Sequence, residues 1–284
     1  MAIPFPLGQG ALDELVRAAL VEDRAFDDVT TLATVAADSW SRARLVARQG
    51  GVACGSAFAT AAFRALDSGV VAQLRAPDGS RVVRGEVILD LAGPSRALLS
   101  AERVALNFMQ RLSGVATLTS RFVDAVRGSG AQVLDTRKTT PGWRALEKYA
   151  VRCGRGTNHR MDLESAVLIK DNHLAAVGGD VSVAVRRARE MARPGAVIEV
   201  ECDRIEQVEG AVEAGATMIL LDNMSIASLV ACVRLVAGRA KLEASGGVTL
   251  ETIAAIAATG VDYISVGAIT HSAPAMDLAL DFET

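Results

Sequence analysis

Four basic residues lie at or near the ends of two candidate strands, where side chains from different strands can meet. Arg137 and Lys138 come at the end of the first strand, and Arg160 and Lys170 lie near the second. An arginine guanidinium binds carboxylate or phosphate oxygens with two parallel hydrogen bonds, and a lysine adds a point charge. We therefore predict that these four side chains bind a ligand with several negative charges; surface ion pairs are the alternative interpretation.

The stretch from Arg137 to His173 reverses the charge of the chain around it. It holds eight lysines and arginines against four acids, whereas the whole chain of 284 residues has a net charge of −3. Net acidity argues against a nucleic-acid-binding protein, which usually carries a basic domain, but it leaves room for a local anion site. For Arg144, Lys148 and Arg152, the four-residue spacing on a helix predicts instead a set of surface ion-pair partners.

Two acids and two glycine-containing loops end other candidate strands in the same part of the chain. Glu201 and Asp222 could accept hydrogen bonds from sugar hydroxyls, help to hold Mg²⁺ or stabilise a cationic transition state. Ion pairs with the nearby cations are the alternative. The loops at 245–247 and 266–268 each follow a strand and precede a helical stretch. Their glycines would let backbone N–H groups turn towards a phosphate, as in many α/β barrels.

Two histidines and two further acids are weaker candidates. His159 lies beside Arg160, whose charge should lower the pKa of the imidazole, so we expect a neutral hydrogen-bond donor to an anion. His173 could serve as an acid, a base or a neutral donor. Glu199 and Glu243 alternate with apolar residues, an arrangement that could point them into the interior of a barrel.

Short buried strands that alternate with amphipathic helices must position these residues. The candidate strands are 131–136, 167–171, 196–202, 217–223, 240–245 and 262–268, and the candidate helices are 181–192, 204–214, 225–236 and 249–258. From the third strand onward the spacing is about twenty residues, the length of one βα unit, which predicts a parallel sheet. No Gly-x-Gly-x-x-Gly follows the first strand, so a barrel is favoured over a dinucleotide-binding sheet.

The part before residue 110 has a different pattern. Residues 11–23 have the apolar spacing of an amphipathic helix, 41–93 are typical of hairpins, and a helix that begins at Ser95 is predicted to end at Gly114. The fold class that we expect is α/β. It comprises an N-terminal α/β sandwich-like domain (1–112) and a six-stranded open α/β barrel, an incomplete TIM-like barrel (113–273), with a tail at about 274–284 that could pack back on the first domain.

The cysteines and the apolar runs bear on the cellular compartment. Cys54, Cys153, Cys202 and Cys232 form no C-x-x-C pair and have no zinc-ligand spacing, so we expect reduced, mostly buried thiols. No apolar run approaches the roughly 18 residues that a membrane-spanning helix needs. The N-terminal stretch has neither the basic nor the apolar region of a signal peptide. We therefore expect a cytoplasmic protein with no membrane and no nucleic-acid partner.

Several motifs occur in a fixed order along nearly the whole chain. The most specific are DTRKTTPG (135–142), LEKYAVRCG (146–154), NHR (158–160) and LIKDNH (168–173). Supporting them are AERVALNFMQRLSGVATLT (101–119), IEVE (198–201), LLDNM (220–224), EASGGV (243–248) and GVDYISVGAITHSAPAMDL (260–278). Together they closely resemble the family of nicotinate-nucleotide pyrophosphorylases (carboxylating), also called quinolinate phosphoribosyltransferases.

The resemblance implies an activity and an assembly. Members of the family convert quinolinate and phosphoribosyl pyrophosphate to nicotinate mononucleotide, pyrophosphate and CO₂ with Mg²⁺, a step of de novo NAD biosynthesis. They form homodimers, in some cases hexamers, and the N-terminal domain of one subunit completes the barrel mouth of the other. In this chain, Arg103 would reach across to the other subunit's site.

The resemblance also implies a role for each candidate residue. Quinolinate would be held by Arg103, Arg137, His159, Arg160 and Lys170. Thr136 would bind substrate, and Lys138 would bind the phosphates of phosphoribosyl pyrophosphate. Glu201 and Asp222 would bind the ribose hydroxyls and, through water or substrate, Mg²⁺; with Lys138 they are the expected catalytic residues. The 5′-phosphate cradle would be Ser245, Gly246, Gly247, Val266, Gly267 and Ala268.

Three positions depart from the family pattern and leave alternatives open. Members mostly carry three glycines where this chain has Arg155 in the centre of 154–156, a glycine at the position of Asp162 and an aspartate at that of Ser165. The nearest alternative is a related phosphoribosyltransferase of the same fold, found with molybdenum-transport genes, that uses another aromatic acid. A catalytically silent barrel that binds phosphorylated ligands is an alternative of another class.

Overall fold

The structure is a computed structural model that describes residues 3–193 and 195–283, and the chain divides into two compact units. Unit 1 comprises the residues up to Ser120, Thr140–Arg155 and the residues from Ser272 onward, and unit 2 comprises Arg121–Thr139 and Gly156–His271. The domain bounds expected from the sequence, 1–112 and 113–273 with a returning tail, stay a prediction.

The helices and strands follow one another along the chain in a mixed order. Up to residue 125 they are α1 (Gln9–Glu22), a short 3-10 turn (Ala25–Asp27), α2 (Val29–Thr34), β1 (Trp40–Ala47), β2 (Gly51–Val52), α3 (Ser56–Leu66), β3 (Val71–Leu74), β4 (Arg81–Val82), β5 (Val87–Pro94) and α4 (Ser95–Ala125). From residue 132 they are β6 (Gln132–Leu134), α5 (Arg144–Cys153), β7 (Val167–Ile169), α6 (Asp171–Ala176), α7 (Val181–Met191), β8 (Ile198–Cys202), α8 (Ile205–Glu213), β9 (Met218–Asp222), α9 (Ile226–Val236), β10 (Lys241–Ser245), α10 (Ile253–Ala257), β11 (Tyr263–Ser265), α11 (Ala268–His271) and β12 (Leu278–Phe282).

The main sheet of unit 1 is antiparallel, with the strand order β12-β1-β5-β3. β2 and β4 form a separate two-stranded ladder. Helix α3 lies between the two stretches of 41–93 that the sequence predicted to be strands, in a part for which it predicted no element. Its buried residues include Phe58, Ala62 and Phe63, which share one face at a spacing of about four residues. The many alanines and aromatic residues of this stretch masked the helical period.

Helix α4 continues past Gly114, where the sequence predicted its end. A Cβ atom at Gly114 would lie 2.1 Å from the carbonyl oxygen of Pro274. The glycine therefore allows the helix and this carbonyl to come closer than any side chain would permit. A glycine inside a helix costs about 1 kcal/mol relative to alanine, and the close packing at Gly114 offsets this cost.

The sheet of unit 2 has six parallel strands in the order β6-β11-β10-β9-β8-β7. Each strand lies within one of the six ranges predicted from the sequence, and helices α6 to α10 occupy the connections. β6 and β7 are the edges of this sheet, which is the arrangement of an open α/β barrel. The predicted fold class is confirmed.

Side chains alternate across the strands of unit 2, and this alternation decides what faces the barrel interior. Glu199 and Glu201 share one face of β8, and Glu243 and Ser245 share one face of β10. Intervening residues such as Val200 are buried on the other face. Acidic and hydroxyl side chains of β8 and β10, the two strands that flank β9, therefore lie towards the carboxyl ends of the strands.

Two further expectations concern thiols and membranes. All four cysteines are free and buried, as predicted. Within residues 3–193 and 195–283, no helix is both long and apolar enough to cross a membrane.

Candidate active site

The carboxyl ends of the strands of unit 2 border a cavity of about 570 Å³. The predicted site residues that line it are Thr136, Arg137, Lys138, His159, Arg160, Lys170, Glu201, Asp222, Ser245, Gly246 and Gly247. Glu243, one of the weaker candidates, also lines it, and the lining residues that were not predicted are Leu168, Leu220, Asn223 and Ser265. The carboxyl ends of parallel strands meet at one edge of a barrel, and this is why residues so distant in sequence come together.

The remaining predicted residues lie elsewhere. Arg103 belongs to unit 1, where it borders a cavity of about 580 Å³ together with Arg24 and Asp28. Val266 is buried and does not line the cavity of unit 2, although Gly267 lies close to it. A Cβ atom at Gly267 would be 3.2 Å from Cδ of Lys138, so the loop at 266–268 packs directly against this lysine.

Unit 1 also has a cavity, of about 600 Å³, between α1 and α3. Its lining mixes apolar residues such as Ala57 and Ala61 with scattered polar and charged ones such as Arg64, and it contains none of the predicted residues. Volume therefore does not distinguish the two cavities. The convergence of charged strand ends does, and it favours the cavity of unit 2 as the site of chemistry.

The cations of this cavity are held by short contacts with their own loops. The N–H of Lys138 donates to Oγ1 of Thr136 over 3.0 Å, and the hydroxyl of Thr270 donates to the carbonyl of Lys138 over 2.7 Å. Nη1 of Arg160 donates to the carbonyl oxygen of Ala166 over 3.1 Å. In the described part of the chain, Nε of Arg137 is buried without a hydrogen-bond acceptor. An anion in the cavity could supply that acceptor.

The two acids at the mouth of the cavity have different neighbours. Oε2 of Glu201 lies 2.8 Å from Nζ of Lys170, so the ion pair expected as an alternative is present. Oδ2 of Asp222 accepts a hydrogen bond of 2.7 Å from the side-chain amide of Asn223. Both are carboxylates on adjacent strand ends, and carboxylate oxygens are ligands that Mg²⁺ prefers. The residues present thus fit a divalent cation that a substrate also helps to hold.

The glycine loop after β10 is shaped by its neighbours. Gly246 and Gly247 have φ of 96° and 58°, in the region that favours glycine. A Cβ atom at Gly246 would lie 2.1 Å from Oδ1 of Asn223. The N–H of Asn223 donates to the carbonyl of Ser245 over 2.9 Å, which ties this loop to the end of β9.

The prediction for the pKa of His159 is wrong. Burial by itself lowers the pKa of this imidazole, but hydrogen bonds to Glu199 and Glu243, and their charges, outweigh burial and raise it to about 10. Nε2 lies 3.1 Å from Oε2 of Glu199 and 3.4 Å from Oε2 of Glu243. The neighbouring Arg160, on which the prediction relied, donates its backbone N–H to Nδ1 over 2.7 Å. Nε2 therefore carries a hydrogen that faces the two carboxylates.

These two acids are the functional candidates that sequence reasoning ranked too low. Burial raises the pKa of Glu199 to about 7, against the hydrogen bond from His159, and the charge of Glu243 adds to this rise. The hydroxyl of Ser265 donates to Oε1 of Glu243. The signal was present in the alternation of IEVE and EAS, which puts Glu199 and Glu243 on the same faces as Glu201 and Ser245. The ligand atoms of His159 and the two acids lie within 4.8 Å of one another, and the hydrogen on Nε2 accounts for that proximity.

The prediction that helix α5 presents its cations at the surface is wrong for Lys148. Lys148 is 1% exposed, and Glu147 beside it is fully buried. Nη2 of Arg152 donates to the carbonyl of Pro4 over 3.1 Å, and its guanidinium lies 5.7 Å from the ring centre of Tyr149. These residues stabilise unit 1, so the basic segment divides between packing in one unit and a cavity in the other.

His173 and the departures from the family pattern have local roles. Nδ1 of His173 accepts the N–H of Lys170 over 2.9 Å and so caps helix α6. Oδ1 of Asp162 accepts the N–H groups of Glu164 and Ser165, which closes a tight turn. Arg155 follows helix α5 with φ of 67°, a conformation that glycine adopts without strain.

Comparison with known proteins finds the same family over both parts of the chain. The model of the quinolinate phosphoribosyl transferase N-terminal domain matches residues 28–113, and that of the C-terminal domain matches residues 115–281. A probable nicotinate-nucleotide pyrophosphorylase [carboxylating] of Bacillus subtilis is 43% identical over 270 residues, covering 95% of this chain and 93% of that protein. The nicotinate-nucleotide pyrophosphorylase [carboxylating] of Mycobacterium leprae is 43% identical over 280 residues, covering 95% and 97%.

A solved structure agrees with these relatives. The nicotinate-nucleotide pyrophosphorylase from Francisella tularensis superposes with a TM-score of 0.92 at 38% sequence identity, covering 98% of each chain. The similarity therefore extends over both units and is not limited to the barrel.

Proposed function

Because the chain belongs to the quinolinate phosphoribosyl transferase family, we propose that it transfers the phosphoribosyl group of phosphoribosyl pyrophosphate to quinolinate. The carboxylate at position 2 of the ring leaves as CO₂, and the other products are nicotinate mononucleotide and pyrophosphate. The protein is then a pentosyltransferase of NAD biosynthesis.

The cluster of cations at the cavity of unit 2 is the observation that carries this proposal. Arg137, Arg160 and Lys170 line the cavity together, and Nε of Arg137 is buried without an acceptor among the described residues. A substrate carboxylate would accept from that nitrogen and would offset the repulsion between the two guanidinium groups. Two adjacent carboxylates, as in quinolinate, match two arginines and a lysine better than a single carboxylate does.

Phosphoribosyl pyrophosphate is assigned to the other side of the cavity. Thr136, Lys138 and the glycines of 245–247 would contact its phosphates, and the loop at 266–268 packs against Lys138. Glu201 and Asp222 would accept hydrogen bonds from the ribose hydroxyls. These carboxylates would also stabilise the positive charge that develops on the ribose as pyrophosphate leaves.

The chemistry then depends mainly on positioning. The pyridine nitrogen of quinolinate attacks C1 of the ribose, the C1–O bond to pyrophosphate breaks, and the ring becomes a pyridinium. The C2–carboxylate bond breaks, CO₂ leaves, and the pyridinium stabilises the electron pair that remains at C2. A proton then adds to C2. Holding both substrates in one cavity could lower the barrier by several kcal/mol, up to about 7–11 in ideal cases.

Mg²⁺ is the proposed cofactor, with Glu201 and Asp222 as its candidate partners. When bound, it would neutralise charge on the pyrophosphate oxygens. Since Glu201 already pairs with Lys170, contact through water or substrate is the expected mode.

We further propose that the protein is a homodimer, which could assemble into a hexamer, and that Arg103 of one subunit contributes to the other subunit's site. The family resemblance supports this assignment. We also propose a cytoplasmic location and no nucleic-acid or membrane partner.

The first test follows product formation by the purified protein with phosphoribosyl pyrophosphate, Mg²⁺ and either quinolinate or nicotinate. Equal amounts of nicotinate mononucleotide and CO₂ from quinolinate, with little product from nicotinate, are expected. Lys138→Ala should lower kcat by roughly 100-fold or more with no change in Tm, because one preorganised charge contact is lost. Lys241→Ala, which removes an exposed lysine from the opposite end of β10, is the matched control.

A mixing experiment tests the shared site. Arg103→Ala and Lys138→Ala should each be nearly inactive alone, whereas a mixed dimer contains one intact site of its two, and half of the dimers are mixed after exchange. After subunit exchange, an equal mixture should therefore recover about a quarter of the wild-type activity. Mixed dimers without recovered activity would place Arg103 outside the partner's site.

The related phosphoribosyltransferase that uses another aromatic acid is the second candidate. Arg155, Asp162 and Ser165 are the residues that favour it, since they depart from the family pattern. No product from quinolinate in a folded, dimeric sample, together with product from another aromatic acid, would select it.

A further inference from the structure

Beneath the cations of the cavity, two carboxylates hold one edge of an imidazole ring. Nε2 of His159 lies 3.1 Å from Glu199 and 3.4 Å from Glu243. The two acids are 2% and 0% exposed, and the hydroxyl of Ser265 donates to the second oxygen of Glu243. The ring is therefore held from inside the barrel.

The opposite edge of the ring holds the backbone of the next residue. Nδ1 of His159 accepts the N–H of Arg160 over 2.7 Å. The N–H of His159 itself donates to Oδ1 of Asp135 over 2.9 Å, and the side-chain amide of Asn158 donates to Oδ2 of Asp135 over 2.6 Å. Asp135 is fully buried, so three consecutive residues are tied to the interior.

The side chain that benefits from this restraint is that of Arg160. Burial and the like charge of Arg137 both lower the pKa of Arg160, so the two guanidinium groups lie close enough to repel each other. The charges of Glu199 and Asp162 partly offset this repulsion. A restrained backbone keeps the guanidinium of Arg160 beside that of Arg137. The ring of His159 supplies that restraint, since it bonds directly to the N–H of Arg160.

We infer that Glu199 and Glu243 are positioning residues for acceptor binding: they hold the ring of His159, which in turn fixes Arg160 beside Arg137. This inference rests on the proposed function, in which those two arginines bind the adjacent carboxylates of the acceptor. The charge of the two buried acids would repel a dianion, so their contribution passes through the ring and not through contact with substrate.

Replacement of Glu199 gives a test in which position is separated from charge. Glu199→Met keeps the length of the side chain but removes the acceptor for Nε2–H, whereas Glu199→Gln keeps an acceptor oxygen and removes the charge. We expect Glu199→Met to raise the calorimetric Kd for quinolinate roughly tenfold or more, and Glu199→Gln to bind within about twofold of wild type. The Kd for phosphoribosyl pyrophosphate should change by less than about twofold in both.

Glu206→Met is the matched control, since Glu206 is exposed on helix α8, which follows β8. It should leave both Kd values unchanged. Glu243→Met repeats the test at the second carboxylate and gives an independent result if Glu199→Met does not fold. In the wild type, the nuclear magnetic resonance signal of the Nε2-bound hydrogen of His159 should exchange slowly, and it should be lost in the folded Met variant.

The contrary results separate failure of this inference from failure of the proposed function. An unchanged quinolinate Kd in folded Glu199→Met, equal losses for both substrates, or a Glu199→Gln variant as weak as Glu199→Met would overturn the inference. An Nε2-bound hydrogen that exchanges at the solvent rate in the wild type would also overturn it. A wild type that neither binds nor converts quinolinate would refute the proposed function itself, and the inference would fall with it.

Discussion

Each unit of the molecule contains buried acids, and the two groups differ in how completely their oxygens are bonded. In unit 1, Oε1 of Glu147 accepts from Arg111 over 3.0 Å and from the hydroxyl of Thr140 over 2.9 Å, and Oε2 accepts the N–H of Thr140 over 3.1 Å. In unit 2, among the described residues, Oε1 of Glu199 has no hydrogen-bond partner, and Oε2 of Glu243 has only its 3.4 Å ion-pair contact with Nε2 of His159.

This difference distinguishes a carboxylate with the bonding of a structural group from the two carboxylates that we infer to position a binding site. A fully bonded buried carboxylate fixes the segments that donate to it. A buried carboxylate oxygen that accepts no hydrogen bond lowers the stability of the fold, because its desolvation is not compensated. Such destabilising features occur mainly at functional sites. The raised pKa of Glu199, caused first by burial, is one expression of that cost.

Glu147→Ala should have the largest effect on stability of the variants that test this comparison. The change leaves Arg111 and the N–H of Thr140 without their acceptor and should lower the free energy of unfolding by about 3–5 kcal/mol. Urea unfolding would measure this, with Glu14→Ala on the exposed side of α1 as the control. A loss below about 1 kcal/mol would mean that both donors find other acceptors.

Gly114→Ala tests the packing beside Arg111, which donates to Glu147. Nη1 of Arg111 also donates to the carbonyl of Ala273 over 2.9 Å, and the added Cβ would lie 2.1 Å from the adjacent carbonyl of Pro274. Overpacking should cost about 1–3 kcal/mol of stability. Gly210→Ala, in the middle of α8 with nothing within 4 Å, should instead gain up to about 1 kcal/mol. Equal effects of the two changes would contradict the close approach.

The pH dependence of stability tests the acids of unit 2 through their partner, His159. The folded pKa of His159, about 10, is above its usual value of 6.5. The imidazolium form has a hydrogen on Nδ1 and so excludes the hydrogen bond from the N–H of Arg160, whereas the neutral ring keeps it. If the attraction of the two carboxylates prevails, the contribution of His159 to stability should be complete below pH 6.5 and should disappear as the pH rises towards 10. The difference in unfolding free energy between wild type and His159→Gln should shrink over that range by about 1 kcal/mol after solvent screening.

A constant difference over that range would show that the ring stays neutral. The N–H of Arg160, which donates to Nδ1, would then decide the charge state of the ring against the attraction of the carboxylates. The same titration of Lys241→Ala, whose lysine is exposed, serves as the control for unspecific charge effects.

The sequence predicted the strands and the cavity because both follow from short-range pattern. Each strand of unit 2 is a short apolar run at βα spacing, and polar residues at strand ends meet at one edge of a parallel barrel. Arg137, Lys170 and Asp222 were found on this basis. Their roles as ligands of a substrate stay predictions.

What could not be predicted depends on contacts between distant segments. The pKa of His159 follows from acids on two other strands, and the nearest residue in sequence, Arg160, pointed to the opposite shift. Gly114 resembled a helix end until its contact with Pro274 was known. Lys148 had the spacing of a surface residue, but the packing around α5 buries it.

Arg155→Gly should have the smallest effect. It should stabilise unit 1, which contains Glu147, without changing Glu147 or the groups that donate to it. Arg155 follows helix α5, which carries Glu147, and its φ of 67° costs a non-glycine residue about 1 kcal/mol. Glycine removes this cost but loses about 0.5–1 kcal/mol more entropy on folding, so a net gain of up to about 0.5 kcal/mol is expected. Arg155→Ala removes the same side chain and charge but keeps the strain, so it should show no gain. If both variants gained equally in thermal unfolding, the charge of Arg155 and not its backbone conformation would be the source of the cost.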